Sequence, residues 1–183
     1  MVIMCRKNKK GYTLAELLIV VAIIGILVAI SIPIFGKQLR KAKVAVDQAN
    51  ARAAKGAMVA YILTYADQYV DGNNHYFYYD ASTGEVIEGI TNTKRNSIEP
   101  YGKTSDATAA DNIEGVNGNM NLTKLIVYGK FMCSGTDIVT DDGSKTEAQI
   151  IGDQIEMGWT SPDVKLDTTD KTVKSTDPIE FKD

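Results

Sequence analysis

The stretch Lys9-Lys10-Gly11-Tyr12-Thr13-Leu14-Ala15-Glu16-Leu17-Leu18-Ile19-Val20-Val21-Ala22-Ile23-Ile24-Gly25-Ile26-Leu27 passes from bases, through one glycine, into a run that is apolar except for one acid. The run continues to Phe35, and 18 of the 22 positions from Leu14 to Phe35 are hydrophobic. As a helix it spans ~33 Å at about 1.5 Å per residue, against a bilayer hydrocarbon core of about 30 Å. Three readings fit that length. It is a membrane span, or the apolar part of a cleaved secretory signal with Ala29-Ile30-Ser31 as its processing triplet, or a span retained after processing. Bases flank it on both sides, at Arg6, Lys7, Lys9 and Lys10 and again at Lys37, Arg40, Lys41 and Lys43, so the positive-inside rule sets no orientation.

Charge separates the rest of the chain from this segment. Residues 72–183 carry ten bases against nineteen acids, a net −9, within a whole chain of 183 residues and −3. An acidic head disfavours nucleic-acid binding, which needs clustered Lys and Arg to neutralise phosphates. One histidine and two cysteines, Cys5 and Cys133, leave no histidine-rich metal centre, zinc ribbon or dense disulfide framework.

The register around Gly11 separates the three readings. A signal peptide's apolar stretch carries no acid, yet Glu16 stands near the start of this one. The sequence from Lys9 to Leu27 resembles the class III signal of type IV prepilins and pseudopilins. The resemblance implies cleavage by a membrane-embedded prepilin peptidase on the cytoplasmic side, between Gly11 and Tyr12, with N-methylation of Tyr12. It places Glu16 at the fifth mature position and Pro33 at the twenty-second, where that family carries a glutamate and a proline. Tyr12 in place of phenylalanine and Ala15 in place of a larger aliphatic depart from the pattern without altering its register.

Each of these residues has a physical use. Cleavage puts a positive amine at the head of an apolar helix, and an unpaired charge in a dry environment is costly. Glu16 lies one helical turn from Tyr12, near the positive end of the helix dipole, and can offset that charge. The resemblance adds that Glu16 pairs with the amine of a neighbouring subunit and sets register during assembly, with Thr13, Gly25 and Pro33 as further assembly residues. An interior glycine weakens a helix by about 1 kcal/mol and an interior proline by about 3 kcal/mol, so a kink is expected near Pro33.

Beyond Phe35 the helix is expected to continue to about Val70. Leu39, Ala42, Val46, Ala49, Ala53, Gly56, Ala60 and Leu63 recur at spacings of three and four and mark one face. Met58, Ile62, Tyr65 and Tyr69 form a second row, with Gly72 as C-cap. Tyr76-Phe77-Tyr78-Tyr79 and Val86-Ile87 flank the turn-rich Asp80–Gly84, a hairpin pattern. Thr91–Asn121 reads as a long irregular connection. Leu122–Tyr128 reads as a short helix capped by Asn121 and Gly129. Ala148–Ile151 and Ile155-x-Met157-x-Trp159 read as strands, with weaker ones near Val164 and Ile179.

The expected fold is therefore α+β, a long N-terminal helix packed on a C-terminal antiparallel sheet, as in the type IV pilin fold. Residues 1–11 are expected to be a leader, 12–71 the helix (12–36 for membrane and filament core, 37–71 amphipathic) and 72–183 the head. The resemblance implies no enzyme but a structural pilus subunit, of the major kind, for adhesion, twitching motility or biofilm formation. Its implied partners are itself as a helical homopolymer, the prepilin peptidase, an assembly platform with minor pilins, and the membrane before assembly. Its place is first the plasma membrane as a single-pass protein, then an extracellular filament. A pseudopilin of a secretion or competence system is the alternative, and a secreted binding protein or enzyme is the alternative of another class. No catalytic constellation, cofactor or metal is expected. His75 stands alone, and Asp141-Asp142-Gly143 with Asp167 and Asp170 reads as turn chemistry rather than a calcium loop. Gly143-Ser144-Lys145-Thr146 lacks the leading glycine of a phosphate loop.

Overall fold

The computed structural model describes residues 11–89, 92–105, 107–118, 120–138 and 144–161. The expected strands near Val164 and Ile179 and the acidic loop residues Asp141, Asp142, Gly143, Asp167 and Asp170 lie outside them. The chain forms two compact units, one up to Lys41 and one from Ala42 onward. A single helix, α1 (Leu14–Thr64), contributes to both and remains helical through Gly25 and Pro33.

The second unit contains a four-stranded sheet, β1 (Asp71–Asp80), β2 (Glu85–Glu88), β3 (Ile126–Ser134) and β4 (Glu156–Thr160), ordered β2-β1-β3-β4. All pairings are antiparallel. This is the expected α+β architecture. The hairpin forms as its alternation suggests, with Phe77 opposite Glu88 and Asp80 opposite Glu85. Short helices α2 (Asn92–Asn96) and α3 (Ala107–Ala110) punctuate the long connection. A further helix, α4 (Glu147–Gln154), precedes β4.

Five local readings are corrected. The α-helix stops at Thr64, short of Val70. Thr64 Oγ1 donates to the Ala60 carbonyl at 2.8 Å, and the chain tightens into a 3-10 turn over Ala66–Gln68. Tyr69 is then buried, its ring meeting Phe77 edge-on at 5.5 Å. Gly72 does adopt a left-handed φ of +73°, but within β1, where one extra residue between Asp71 and Asn74 bulges against β3. Leu122–Lys124 is a 3-10 turn that Asn121 caps as expected, but the chain from Ile126 is β3. Gly129 is therefore no cap. It sits mid-strand because a Cβ there would lie 2.4 Å from Met58 Sδ. Ala148–Ile151 is helical because Thr146 and Gln149 form a reciprocal capping box, a Thr-x-x-Gln signal that outweighs the short apolar run.

The fifth correction concerns the amphipathic half of α1. Leu39, Ala42, Val46, Ala49, Ala53, Gly56 and Ala60 are exposed, and the buried row is Asp47, Ala51, Ala54, Met58 and Ile62. A count of apolar residues could not place an aspartate inside. The core of this unit needs the volume of Met58 and Ile62, which pack with Phe77, Phe131, Val127 and Trp159, and the helix turns that row inward. Met58 and Ile62 of the second expected row do face in.

Asp47, 0% exposed, holds the long connection to α1. Its carboxylate accepts backbone N–H bonds from Lys103 at 2.9 Å and from Thr104 at 2.7 Å. Two further links run the same way. Lys55 pairs with Glu114 at 2.9 Å, and Gln48 donates to the Asn112 carbonyl at 3.1 Å. Tyr101 fixes the connection to the sheet, donating to the Tyr79 carbonyl at 2.9 Å and accepting from Val127 N–H at 2.7 Å. Buried donors without acceptors each cost about 1–3 kcal/mol. Asp47→Ala should accordingly destabilise this unit by about 2–4 kcal/mol in denaturant unfolding followed by Trp159 fluorescence. Asp47→Asn, which keeps one carbonyl acceptor, should lose clearly less.

Candidate functional site

The residues that sequence reading singled out cluster at the start of α1. Gly11, Tyr12 and Thr13 are non-helical and exposed, and Tyr12 is 90% exposed. The Gly11–Tyr12 peptide bond thus lies in open backbone just ahead of a helix, where it can be drawn extended into a hydrolase cleft. A Cβ on Gly11 would meet nothing within 4 Å, so the fold of this chain does not itself demand glycine there.

The helix begins at Leu14 because Thr13 and Glu16 close a capping box. Glu16 N–H donates to Thr13 Oγ1 at 3.3 Å, and Thr13 N–H donates back to Glu16 Oε2 at 2.7 Å. Thr13 Oγ1–H also donates to Oε2, at 2.9 Å. Two donors that an α-helix leaves unpaired at its first turn are satisfied reciprocally. Sequence reading found Glu16 by its charge and missed its second use, although Thr13-x-x-Glu16 is a recognisable capping signature. Among the described residues both of these bonds to the carboxylate fall on Oε2.

Among the described residues, nothing buries the side chains that follow. Leu14, Leu17, Ile19, Val21, Ile24, Ile26, Ile30, Ile34 and Phe35 are all exposed by half or more. Among the described residues α1 is the one helix long and apolar enough to cross a membrane, and none of its most apolar window is buried. Polar groups in the run are satisfied locally, as where Ser31 Oγ donates to the Leu27 carbonyl at 2.6 Å. Gly25 has open space around it, and Pro33 sits inside the helix without ending it.

The head offers no rival chemistry among the described residues. No group of three His, Cys, Asp or Glu could hold a metal ion there. His75 Nε2 lies 2.9 Å from Asp71 Oδ1, and its ring meets Tyr69 edge-on at 4.9 Å, a structural setting. Bonds from Asn73 and His75 hold the Asp71 carboxyl well below the usual range. Cys133 is a free, buried thiol whose pKa burial raises. Lys145 pairs with Asp153 and Thr146 caps α4, which accounts for two of the three described residues that mimicked a phosphate loop.

An exposed Gly11–Tyr12 bond and a capped first turn with one acid open a helix of lipid-spanning length and apolarity, in a chain whose second unit is an α+β head. Residues 6–32 match the family model described as the prokaryotic N-terminal methylation motif. The chain is 27% identical over 158 residues to the type IV major pilin protein PilE1 of Neisseria gonorrhoeae, covering 78% of this chain and 69% of that one. It is 28% identical over 123 residues to a fimbrial protein of Neisseria meningitidis, covering 67% of this chain and 66% of that one. No solved structure matches. The motif, the similarity and the fold together support a type IV pilin, and hence a pilus subunit.

The capping box predicts a measurable asymmetry. Thr13→Val in micelles should speed hydrogen exchange of the amides of residues 13–17 several-fold, since losing such a cap weakens a helix end by about 1 kcal/mol. Exchange near Asp47 should be unchanged.

Proposed function

We propose that this chain is a prepilin of a major pilin, cut between Gly11 and Tyr12 and N-methylated on Tyr12, that polymerises through Tyr12–Phe35 into a surface filament. Residues 1–11 act as leader, 12–36 as membrane span and then filament core, 37–71 as the link to the head, and 72–183 as the head. The observation that carries this reading is an apolar helix with none of its most apolar window buried, behind an exposed glycine bond. Burying apolar area is worth about 25 cal/mol per Å², so a helix of this kind is stable only in lipid or against other helices. Polymerisation moves it from the first to the second.

In that exchange Glu16 serves two partners. Its Oε2 caps its own helix through Thr13, and its Oε1 accepts from the freed amine of a neighbouring subunit. The pairing fixes the axial step because a charge left alone in the filament core is heavily penalised. Gly25 and Pro33 lower the helical stability of the segment between them, which lets the core adjust as helices pack. Partners on this reading are identical copies, the prepilin peptidase, the assembly platform and minor pilins, and the bilayer before assembly. The filament serves adhesion, twitching motility or biofilm formation at the bacterial surface, and the subunit itself has no catalytic role.

Two measurements test the reading. The intact mass of the mature chain should correspond to a start at methylated Tyr12. A start at Ile32 would mean ordinary signal cleavage and loss of the helix. Glu16→Gln should be processed normally and keep its first helical turn, because glutamine also serves in a capping box, yet give filament yields at least about ten-fold down. Glu16→Ala should also be processed normally but lose the capped first turn together with the filament yield, so a full yield from either variant removes the charge-pairing role.

A further inference from the structure

We propose that Asn121 is an acceptor for N-linked glycosylation, taking a sugar from a glycosyl diphosphate donor onto its Nδ2. The inference goes beyond the subunit reading and rests on it in one respect, that the head is exported. Ten asparagines occur in the chain, and Asn121-Leu122-Thr123 is the one place where a hydroxyl residue stands two positions after asparagine without an intervening proline. Asn121 and Thr123 are exposed, while Leu122 between them is fully buried. Leu122 N–H donates to the Thr104 carbonyl at 2.8 Å, and Leu125 N–H donates to the Leu122 carbonyl at 2.9 Å. A Cβ on Gly102 would lie 1.9 Å from the Leu122 carbonyl oxygen, so the middle residue fits closely against the long connection. The apolar residue anchors a short 3-10 turn, and the two polar residues stand at its surface. A bulky, solvated group on Asn121 therefore meets water and not the core.

The carboxamide is polarised in the sense that the reaction needs. Thr123 N–H donates to Asn121 Oδ1 at 3.1 Å, and Thr123 Oγ1–H donates to the same oxygen at 2.8 Å. An amide nitrogen is a poor nucleophile because its lone pair is delocalised into the carbonyl. Two donors on Oδ1 stabilise the negative charge which that oxygen gains when Nδ2 loses a proton, as an oxyanion hole does. Both bonds use Oδ1 and neither uses Nδ2, so a sugar on the nitrogen leaves the cap of the turn in place. In the transfer, Nδ2 gives one proton to a base of the transferase and attacks the anomeric carbon of the donor. The new C–N bond forms as the C–O bond to the diphosphate breaks. The diphosphate leaves with that electron pair, and nothing is oxidised or reduced. Asn112 and Asn117 are exposed too, but Glu114 and Asn119 stand where the hydroxyl would be.

The test purifies the mature chain from the cells that make it and reads its tryptic peptides by mass spectrometry with electron-transfer fragmentation, which keeps sugars on their residues. The peptide ending at Lys124 should carry a sugar-sized increment located on Asn121. Thr123→Val, which removes the hydroxyl and keeps the N–H, should abolish the increment, whereas Thr123→Ser, which keeps both donors, should retain it. Asn121→Asp preserves the Oδ1 acceptor and hence the turn, removes the nitrogen, and should carry none. The proposal is overturned if Asn121 is bare in the wild-type chain, or if the increment persists in Asn121→Asp or in Thr123→Val. Blocking the transfer of sugar phosphate to lipid phosphate identifies the donor: loss of the increment means a lipid-borne diphosphate, persistence a nucleotide-borne one, and both outcomes support Asn121 as acceptor. The N-terminal peptide of the same digest reports processing separately. A start at methylated Tyr12 with a bare Asn121 overturns this inference alone, whereas a start at Ile32 with a modified Asn121 supports it and overturns the pilin reading.

Discussion

Water is the wrong solvent for the surface of α1 from Leu14 to Phe35, and nearly every property of the N-terminal unit follows from that. The helix hydrogen-bonds its own backbone, so lipid can accept it. What it lacks is cover for its side chains, which the described residues do not supply. A soluble protein would have folded such a helix into its core. Here the head has its own core, built from Met58, Ile62, Phe77, Phe131 and Trp159, and needs nothing from the apolar run. The head can therefore stay folded whatever covers the apolar run.

That separation places strict demands on polar groups in the first turn. Four N–H groups at a helix start lack intrahelical partners, and in a bilayer or a filament core water is not available to take them. The chain uses Thr13 and Glu16 for this, with one carboxylate oxygen doing the capping. Serine at position 13 would cap the helix as well, and glutamine at position 16 would close the same box without a charge, so the negative charge of Glu16 is more than the capping box requires.

The parts of the molecule legible in the sequence are those where one physical signal dominates. Fourteen positions from Leu17 to Ile30 without a polar side chain admit a helix and little else, and the alternation around Tyr76 to Ile87 with a turn between admits a hairpin. Reading failed where two signals competed at short range. Gly129 looks like a helix stop until Met58, seventy-one residues earlier, is seen to need the room. Ala148–Ile151 looks like a strand until the Thr146 cap is counted. The inward face of α1 was misplaced because Asp47 is interior, and only the distant amides of Lys103 and Thr104 make an interior aspartate tolerable. The capping use of Glu16 was hidden by its more conspicuous charge.

The reversal of the two faces of α1 carries its own consequence. The head consumes the row from Asp47 to Ile62 and leaves outward a row whose members at 42, 49, 53, 56 and 60 are alanine or glycine. Each small side chain exposes little apolar area, so at about 25 cal/mol per Å² the penalty of leaving this face in water is modest. Larger aliphatics on the same row would make the free subunit prone to aggregate through its head-bearing half as well as through its membrane half. Small residues also permit close backbone approach, as in helix pairs within membranes. Leu39 and Val46 are the exceptions on this row, so its outward side chains pass from mixed sizes near Phe35 to alanine and glycine alone from Ala49 to Ala60.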